Sequence, residues 1–259
     1  MSADILLRQL GENQVAGFLL VLGRIGPLFV LAPLFSSRSL PARAKGLCAV
    51  GLTVAIAPIA LGDAEIPLDV MTFTELMLKE VLVGLAFAFA LAALFAAIST
   101  AGAFVDTLIG FSYGALVDPV TGNQSSVLTQ TYILVGIMVL IAIGGDQLMI
   151  KGLARSYDLV PLLDMPSLAA LVGGAQKAFA QVFLSALELA APVVLAIVIT
   201  DVALGIVSRV VPQMNVFAVG FPAKVTVGLL IIGVSLPFAA GWIADELERS
   251  VSTALQSLS

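Results

Sequence analysis

The sequence predicts an all-α fold, a polytopic membrane protein of about six apolar helical segments, several of them broken or kinked. Of the 259 residues, 60% are hydrophobic and only 11% are charged, whereas soluble domains carry roughly 25% charged residues. The apolar residues form continuous runs rather than an alternating pattern, which disfavours a lipid-facing β-barrel. Several runs approach the length that a membrane-spanning helix needs, about 20 residues.

Residue usage excludes several classes of function. The net charge of −5 and the lack of a basic block argue against nucleic acid as a partner. The chain has one cysteine, Cys48, and no histidine. This removes internal disulfides, zinc-type metal sites and histidine-based acid–base catalysis. No P-loop or G-x-G-x-x-G is present. We therefore expect no cofactor, no metal and no enzyme activity.

Three apolar segments occupy the first half of the chain. Val15–Phe35 contains Arg24 and two prolines, and Gly46–Leu61 is shorter and uncharged. Val81–Val105 follows Thr72–Glu75, which fits a capping box at the start of a helix. Small residues recur every four positions in this third segment, either by chance or as a ridge for close helix packing: Gly84, Ala88, Ala92 and Ala96.

Three less regular segments follow in the second half. Tyr132–Gly145 is short for a span, and Ala178–Ser208 is interrupted by charges and a proline, whereas Val225–Ala244 is uncharged. Loop charges also conflict with a simple topology, because the positive-inside rule holds early and fails later. Either one segment does not span the membrane, or partner proteins rather than the bilayer hold the helices. We favour partners, because several segments are short, broken or charged.

A glycine-rich stretch separates the third and fourth segments. Its glycines permit backbone turns, and Asp118-Pro119 is a turn signal. An apolar loop of this kind could seal a pore by packing, although an ordinary connection between helices is the simpler interpretation. The candidate pore plug loop consists of Gly110, Phe111, Ser112, Tyr113, Gly114, Leu116, Val117, Asp118 and Pro119.

A second broken stretch, Arg209–Lys224, lies between the last two segments. Lipid cannot satisfy broken backbone at membrane depth, so protein must cover it or it must face water. This predicts an assembled membrane machine or a permeation path. The candidate subunit-packing residues are Arg209, Pro212, Gln213, Asn215, Phe217, Gly220, Pro222 and Lys224.

Charged residues also fall inside or beside the apolar segments. The candidate buried charges are Arg24, Glu188 and Asp201, accompanied by Arg209 and Lys224. Ionisable groups in a membrane suggest function by default. Glu188 and Asp201 could relay protons in a secondary transporter. Alternatively, the cations and carboxylates pair within and between subunits, which the cost of an unpaired buried charge favours.

The two broken stretches and the overall layout resemble the FliR family of flagellar biosynthetic proteins. These are the R subunits of type III export gates, and their injectisome counterparts are the T-type export apparatus proteins. The resemblance covers essentially the whole chain. It is strongest at Gly110–Pro119 and at Arg209–Lys224.

The resemblance implies a non-enzymatic, pore-forming subunit of a protein export gate in the bacterial inner membrane, at the flagellar basal body or in an injectisome. One R subunit would join several P and Q subunits, beside the B and A export apparatus subunits, and pass unfolded secreted proteins. The single domain, 1–259, would consist of a P-like part over about 1–177 and a Q-like hairpin over 178–259. The plug loop would map onto about 108–124, and the second motif would pack against neighbouring subunits.

Overall fold

The computed structural model describes residues 3–36, 40–62, 65–111, 127–213, 215–256 and 258, with the backbone alone for residues 3–10, 12, 33, 216 and 217. Within these residues the chain is helical and contains no strand, which confirms the predicted all-α fold. The helices are α1 (Ala3–Leu31), α2 (Pro33–Ser36), α3 (Ala42–Leu61), α4 (Val70–Ile109), α5 (Val127–Ala142), α6 (Gly145–Leu159), α7 (Leu168–Val210) and α8 (Val216–Gln256).

Five helices in the described part of the chain are long and apolar enough to cross a membrane, within α1, α3, α4, α7 and α8. A sixth span results if α5 and α6 are counted together across the bend between them. Helices α4, α7 and α8 contain 40, 43 and 41 residues. Each is about 60 Å long, twice the thickness of a bilayer hydrocarbon core, which is about 30 Å. These helices therefore continue beyond the apolar segments seen in the sequence.

The chain forms two compact units that interleave along the sequence. The first unit contains Met1–Ala93, Gly144–Phe179 and Leu247–Ser259, and the second contains Leu94–Ile143 and Ala180–Glu246. Helices α4, α7 and α8 each contribute residues to both units. The predicted division into a P-like and a Q-like part concerns similarity to other subunits, whereas these units are defined by contacts within the chain. The division therefore stays a prediction.

Helices α1 and α4 approach each other closely in the first unit. A Cβ atom at Gly84 would overlap the backbone carbonyl group of Arg24. A Cβ atom at Gly23 would lie 2.9 Å from the Sδ atom of Met77. Of the predicted small-residue ridge, Gly84 and Ala88 are buried, whereas the later alanines are half-buried and exposed. The ridge is therefore fully buried only at its first two members, and α1 contacts it at Gly84.

Helix α4 begins earlier than the predicted capping box. Its first residue is Val70, and the preceding Asp69 accepts hydrogen bonds at Oδ2 from the backbone N–H and the hydroxyl group of Thr72, both at 3.3 Å. Aspartate is among the strongest helix-capping residues. The predicted start of the helix at Thr72 is therefore wrong, because Asp69 caps it three residues earlier.

Candidate functional site

Asp106 connects the ends of α4 and α5 in the second unit. Its side chain is almost fully buried, and its carboxylate accepts hydrogen bonds from the backbone N–H groups of Leu128 (3.2 Å) and Thr129 (3.0 Å). The hydroxyl group of Thr129 donates a third, at 2.9 Å. The first N–H groups of a helix lack partners inside it and attract negative charge. Asp106 on α4 therefore caps the N-terminus of α5.

The backbone of the same residue ends α4. The carbonyl oxygen of Asp106 accepts hydrogen bonds from the N–H groups of Gly110 (3.0 Å) and Phe111 (3.1 Å). Gly110 has a φ of 106°, a left-handed conformation that glycine adopts at helix ends without the cost of a Cβ. One residue thus fixes the chain at 110–111 and again at 128–129. The remaining members of the predicted plug loop lie outside the described residues: Ser112, Tyr113, Gly114, Leu116, Val117, Asp118 and Pro119.

The end of α4 also contacts the beginning of α8, so residues of the two sequence motifs meet. The ring of Phe111 meets that of Phe221 edge-on, with centroids 5.9 Å apart. The Nζ atom of Lys224 lies 3.4 Å from the carbonyl oxygen of Leu108. A Cβ atom at Gly228 would overlap the side chain of Ile109. Nothing in the local sequence indicated this contact between distant segments.

The Arg209–Lys224 motif contains the end of α7, the short connection to α8 and the first turns of α8, because α7 ends at Val210 and α8 begins at Val216. The helix is therefore broken over a shorter range than the sequence predicts. Asn215 caps α8, since its Oδ1 accepts a hydrogen bond from the N–H of Ala218 at 3.2 Å. Gly220 is buried, with Leu204 at van der Waals distance from where a Cβ would be. The other described members are exposed or half-buried in this chain: Arg209, Pro212, Gln213, Asn215, Pro222 and Lys224. The Phe217 side chain lies outside the described part, and the packing role of the motif stays a prediction.

The two carboxylates considered for a proton relay have separate partners. Asp201 Oδ1 lies 2.6 Å from Lys224 Nζ. Glu188 accepts a hydrogen bond at Oε2 from the indole N–H of Trp242 at 3.2 Å. Both carboxylate residues are exposed within this chain, so the chain itself does not bury them. Any burial of these two side chains must come from lipid or from other subunits.

Arg24 is fully buried in the first unit, and its guanidinium group donates five hydrogen bonds. Its guanidinium binds both carboxylate oxygens of Glu80, at 2.6 and 2.9 Å, a two-point geometry that makes a strong pair. Further hydrogen bonds reach Ser156 at its carbonyl and hydroxyl oxygens and Val160 at its carbonyl oxygen. The guanidinium carbon lies 4.0 Å from the ring centroid of Tyr157. Of the two expected kinds of pair, within and between subunits, Arg24 forms the first, because this chain supplies its partners.

Lys79 completes this buried ion cluster of Arg24, Lys79 and Glu80. Its Nζ atom lies 2.6 Å from Glu80 Oε1 and donates to the carbonyl oxygens of Pro161 (3.1 Å) and Leu162 (2.8 Å). Two cations therefore share one carboxylate. The carbonyl oxygens just beyond α6 accept hydrogen bonds from the cations and stabilise the remaining positive charge. The C-terminal end of a helix carries partial negative charge. The cluster binds α1 and α4 to the chain segment that follows α6.

Sequence reasoning missed Lys79, Glu80 and Asp106 as buried charges. The predicted third apolar segment, Val81–Val105, stops directly inside Glu80 and Asp106. Helix α4 continues past both residues and buries them. The available signal was their position within one turn of an apolar run.

In the described residues, no group of three histidine, cysteine, aspartate or glutamate side chains could hold a metal ion.

Comparison with known proteins places the chain in a family. The family of bacterial export proteins, family 1, matches residues 15–250. The chain belongs to this family. A similar protein is the flagellar biosynthetic protein FliR of Bacillus subtilis, 33% identical over 83% of this chain and 84% of the relative. FliR of Escherichia coli is 30% identical over 84% and 83%. The surface presentation of antigens protein SpaR of Salmonella typhimurium is 29% identical over 85% and 83%.

The family membership agrees with the helices. A bacterial export protein with five helices long and apolar enough to cross a membrane in its described part is an integral membrane component of protein export. The match includes both ends of the glycine-rich stretch and the whole turn between α7 and α8. The resemblance inferred from the two motifs is confirmed.

Proposed function

We propose that this bacterial export protein is a structural, pore-forming subunit of a flagellar type III export gate in the inner membrane, at the basal body. The observation that carries the proposal is the family match over 15–250, with relatives named for flagellar biosynthesis among its most similar proteins. The equivalent subunit of a virulence injectisome is the nearest alternative. The flagellar assignment is favoured because the FliR of Bacillus subtilis, at 33%, is more similar than the SpaR proteins, at 29–30%.

The proposed partners are the P and Q subunits of the gate, with the B and A export apparatus subunits beside them. Lipid covers the outer surface, and unfolded secreted proteins pass through. The region around the turn between α7 and α8 supports contact with neighbouring subunits. Large apolar side chains there, including Val210 and Phe221, are exposed on the surface of this chain. Exposed apolar surface of this kind marks an interaction site or a lipid contact. The subunit is non-enzymatic, and other subunits supply energy.

The glycine-rich stretch contains the sequence of a hydrolase motif, because Gly110–Gly114 spells G-x-S-x-G. In hydrolases this motif lies on a sharp turn between a strand and a helix, and a histidine activates the serine. Here the motif follows the C-terminus of helix α4, and the chain contains no histidine. The motif therefore gives no support to an enzyme.

A secondary transporter using Glu188 and Asp201 also lacks support. Each carboxylate is engaged by a different partner, Trp242 and Lys224 respectively. Substrate-dependent proton uptake by the protein reconstituted alone would favour this alternative. Co-purification with other small helical membrane proteins favours the gate.

The plug loop closes the resting pore in this proposal, with Phe111, Tyr113, Leu116 and Val117 filling it. Support comes from the fixed ends of the stretch, since Asp106 holds the chain at Gly110–Phe111 and at Leu128–Thr129. A short stretch attached to rigid helices at both ends can return to one resting position. Apolar packing can then exclude ions without ion pairs that must break during transport.

Deletion of Gly110–Gly114 should make the assembled gate leaky. The deletion removes the helix-ending glycine and the first plug residues, so we expect a clear rise in resting conductance for small ions. The measurement is the ion conductance of membranes that contain the assembled complex, with complex yield determined on native gels. Unchanged conductance in a fully assembled gate would refute the closing role.

Arg209→Ala should lower the yield of intact complex, because Arg209 lies at the exposed end of α7 in the motif proposed to pack against neighbours. The complex is quantified by native gel electrophoresis after mild solubilisation. Arg155→Ala is the matched control, since Arg155 is an exposed arginine on α6 outside the motif. Normal assembly combined with lost export would contradict the packing role and favour a role in transport.

A further inference from the structure

We propose that Lys224 and Asp201 are positioning residues that fix the last turn of α4, and with it Phe111, in the resting protein. The proposal rests on the proposed function for its purpose, because α4 ends where the stretch assigned to pore closure begins. Asp201 belongs to α7 and Lys224 to α8, so their contact with α4 joins three helices of the second unit.

The ammonium group of Lys224 lies between two negative groups. Its Nζ atom is 2.6 Å from Asp201 Oδ1 and 3.4 Å from the carbonyl oxygen of Leu108. That carbonyl belongs to the last turn of α4, whose carbonyl groups lack partners within the helix and form its negative end. The cation therefore stabilises the end of α4, while Asp201 holds the cation in place.

Two further contacts flank Lys224 on the same face of α8. Phe221, three residues earlier, meets the Phe111 ring edge-on, which is a preferred geometry for aromatic pairs. Gly228, four residues later, lies so close to Ile109 that an added Cβ atom would overlap the Ile109 side chain. Residues at this spacing share one helix face. Lys224 is thus the central, charged member of a continuous contact between α8 and residues 108–111.

The Lys224–Asp201 ion pair is more exposed than the buried ion cluster of the first unit. The side chains of Lys224 and Asp201 are 23% and 45% exposed, whereas those of Arg24 and Glu80 are 0% exposed. A solvent-accessible pair opens at little cost, but opening a buried pair strands a charge without solvent. Where water reaches it, the Lys224 contact can therefore open while the protein stays folded.

The test measures how accessible the last turn of α4 is in the assembled complex. Leu108→Cys is introduced together with Cys48→Ser, so that one thiol remains, and its alkylation rate by N-ethylmaleimide is recorded. The Leu108 carbonyl group that faces Lys224 is retained. We expect Lys224→Met, and separately Asp201→Asn, to raise the rate about fivefold. Lys224→Arg should keep the original rate, as should Lys177→Met, which removes an exposed cation of α7.

A rate unchanged by both Lys224→Met and Asp201→Asn in the assembled complex would overturn the proposal. The charge exchange Asp201→Lys with Lys224→Asp supplies a second test, since restored protection would support a direct ion pair. Conductance is recorded on the same samples. Faster alkylation without a leak would support the positioning role and count against pore closure. A leak from the Gly110–Gly114 deletion, with alkylation unchanged in the Lys224 and Asp201 variants, would support pore closure and count against the positioning role.

Discussion

Glu80→Ala should lower the free energy of unfolding by about 3–5 kcal/mol, because it leaves two buried cations without their carboxylate. Arg24 and Glu80 are both 0% exposed, and Lys79 is 4% exposed. Arg24 and Lys79 also donate hydrogen bonds to backbone carbonyl groups, but these groups cannot replace a full negative charge. Loss of Glu80 would also remove the ion pair that joins α1 to α4.

Thermal and denaturant unfolding of the purified protein in detergent would measure this loss. Glu75→Ala is the matched control, since it removes an exposed carboxylate from the same helix, and we expect a change within about 0.5 kcal/mol. Replacing Arg24, Lys79 and Glu80 together by methionine should cost less than Glu80→Ala alone, because no charge is then left unpaired. Equal stability of the Glu80→Ala and Glu75→Ala proteins would show that the buried ion cluster does not hold the first unit together.

Gly84→Ala should cost about 3 kcal/mol, because the added methyl group overlaps backbone rather than a movable side chain. The atoms in its way are the carbonyl oxygen, carbonyl carbon and Cα of Arg24. Helix α1 must shift to make room, which would move the guanidinium away from Glu80. The effects of Gly84→Ala and Glu80→Ala should therefore be less than additive.

The same unfolding measurement applies, with Gly51→Ala as the control. Gly51 lies inside α3 with no atom within 4 Å of a built Cβ, so alanine should stabilise that helix by up to about 1 kcal/mol. Similar stability changes for the two variants would mean that α1 and α4 are not in close contact at Gly84.

The spanning helices and the two broken stretches could be predicted because they depend on local composition. A long apolar run needs a helix in lipid. The predicted interruption of the fifth segment at Pro192 is wrong, because α7 continues through it as one helix. Helix ends were less predictable, since α4 continues through Lys79 and Glu80 at one end and Asp106 at the other. A charge next to an apolar run has the same appearance in a sequence whether water or a buried partner satisfies it.

The partners of the charged residues were beyond sequence reasoning. Arg24 binds Glu80 and the end of α6, 56 and 132–136 residues away, and no local pattern specifies such a choice. Lys224 meets Asp201 and the end of α4 for the same reason. The sequence indicated that these charges must pair, because an unpaired buried charge is costly. Only the fold determines which groups meet, and it pairs Arg24 with Glu80 and Lys224 with Asp201 within this chain.

Native mass spectrometry of the tagged protein, released gently from cells that also express its genomic neighbours, tests the central claim most directly. The export-gate account predicts a single copy of this chain within a larger hetero-oligomer of small helical membrane proteins. A monomer or homodimer, with the neighbours demonstrably expressed, would contradict it.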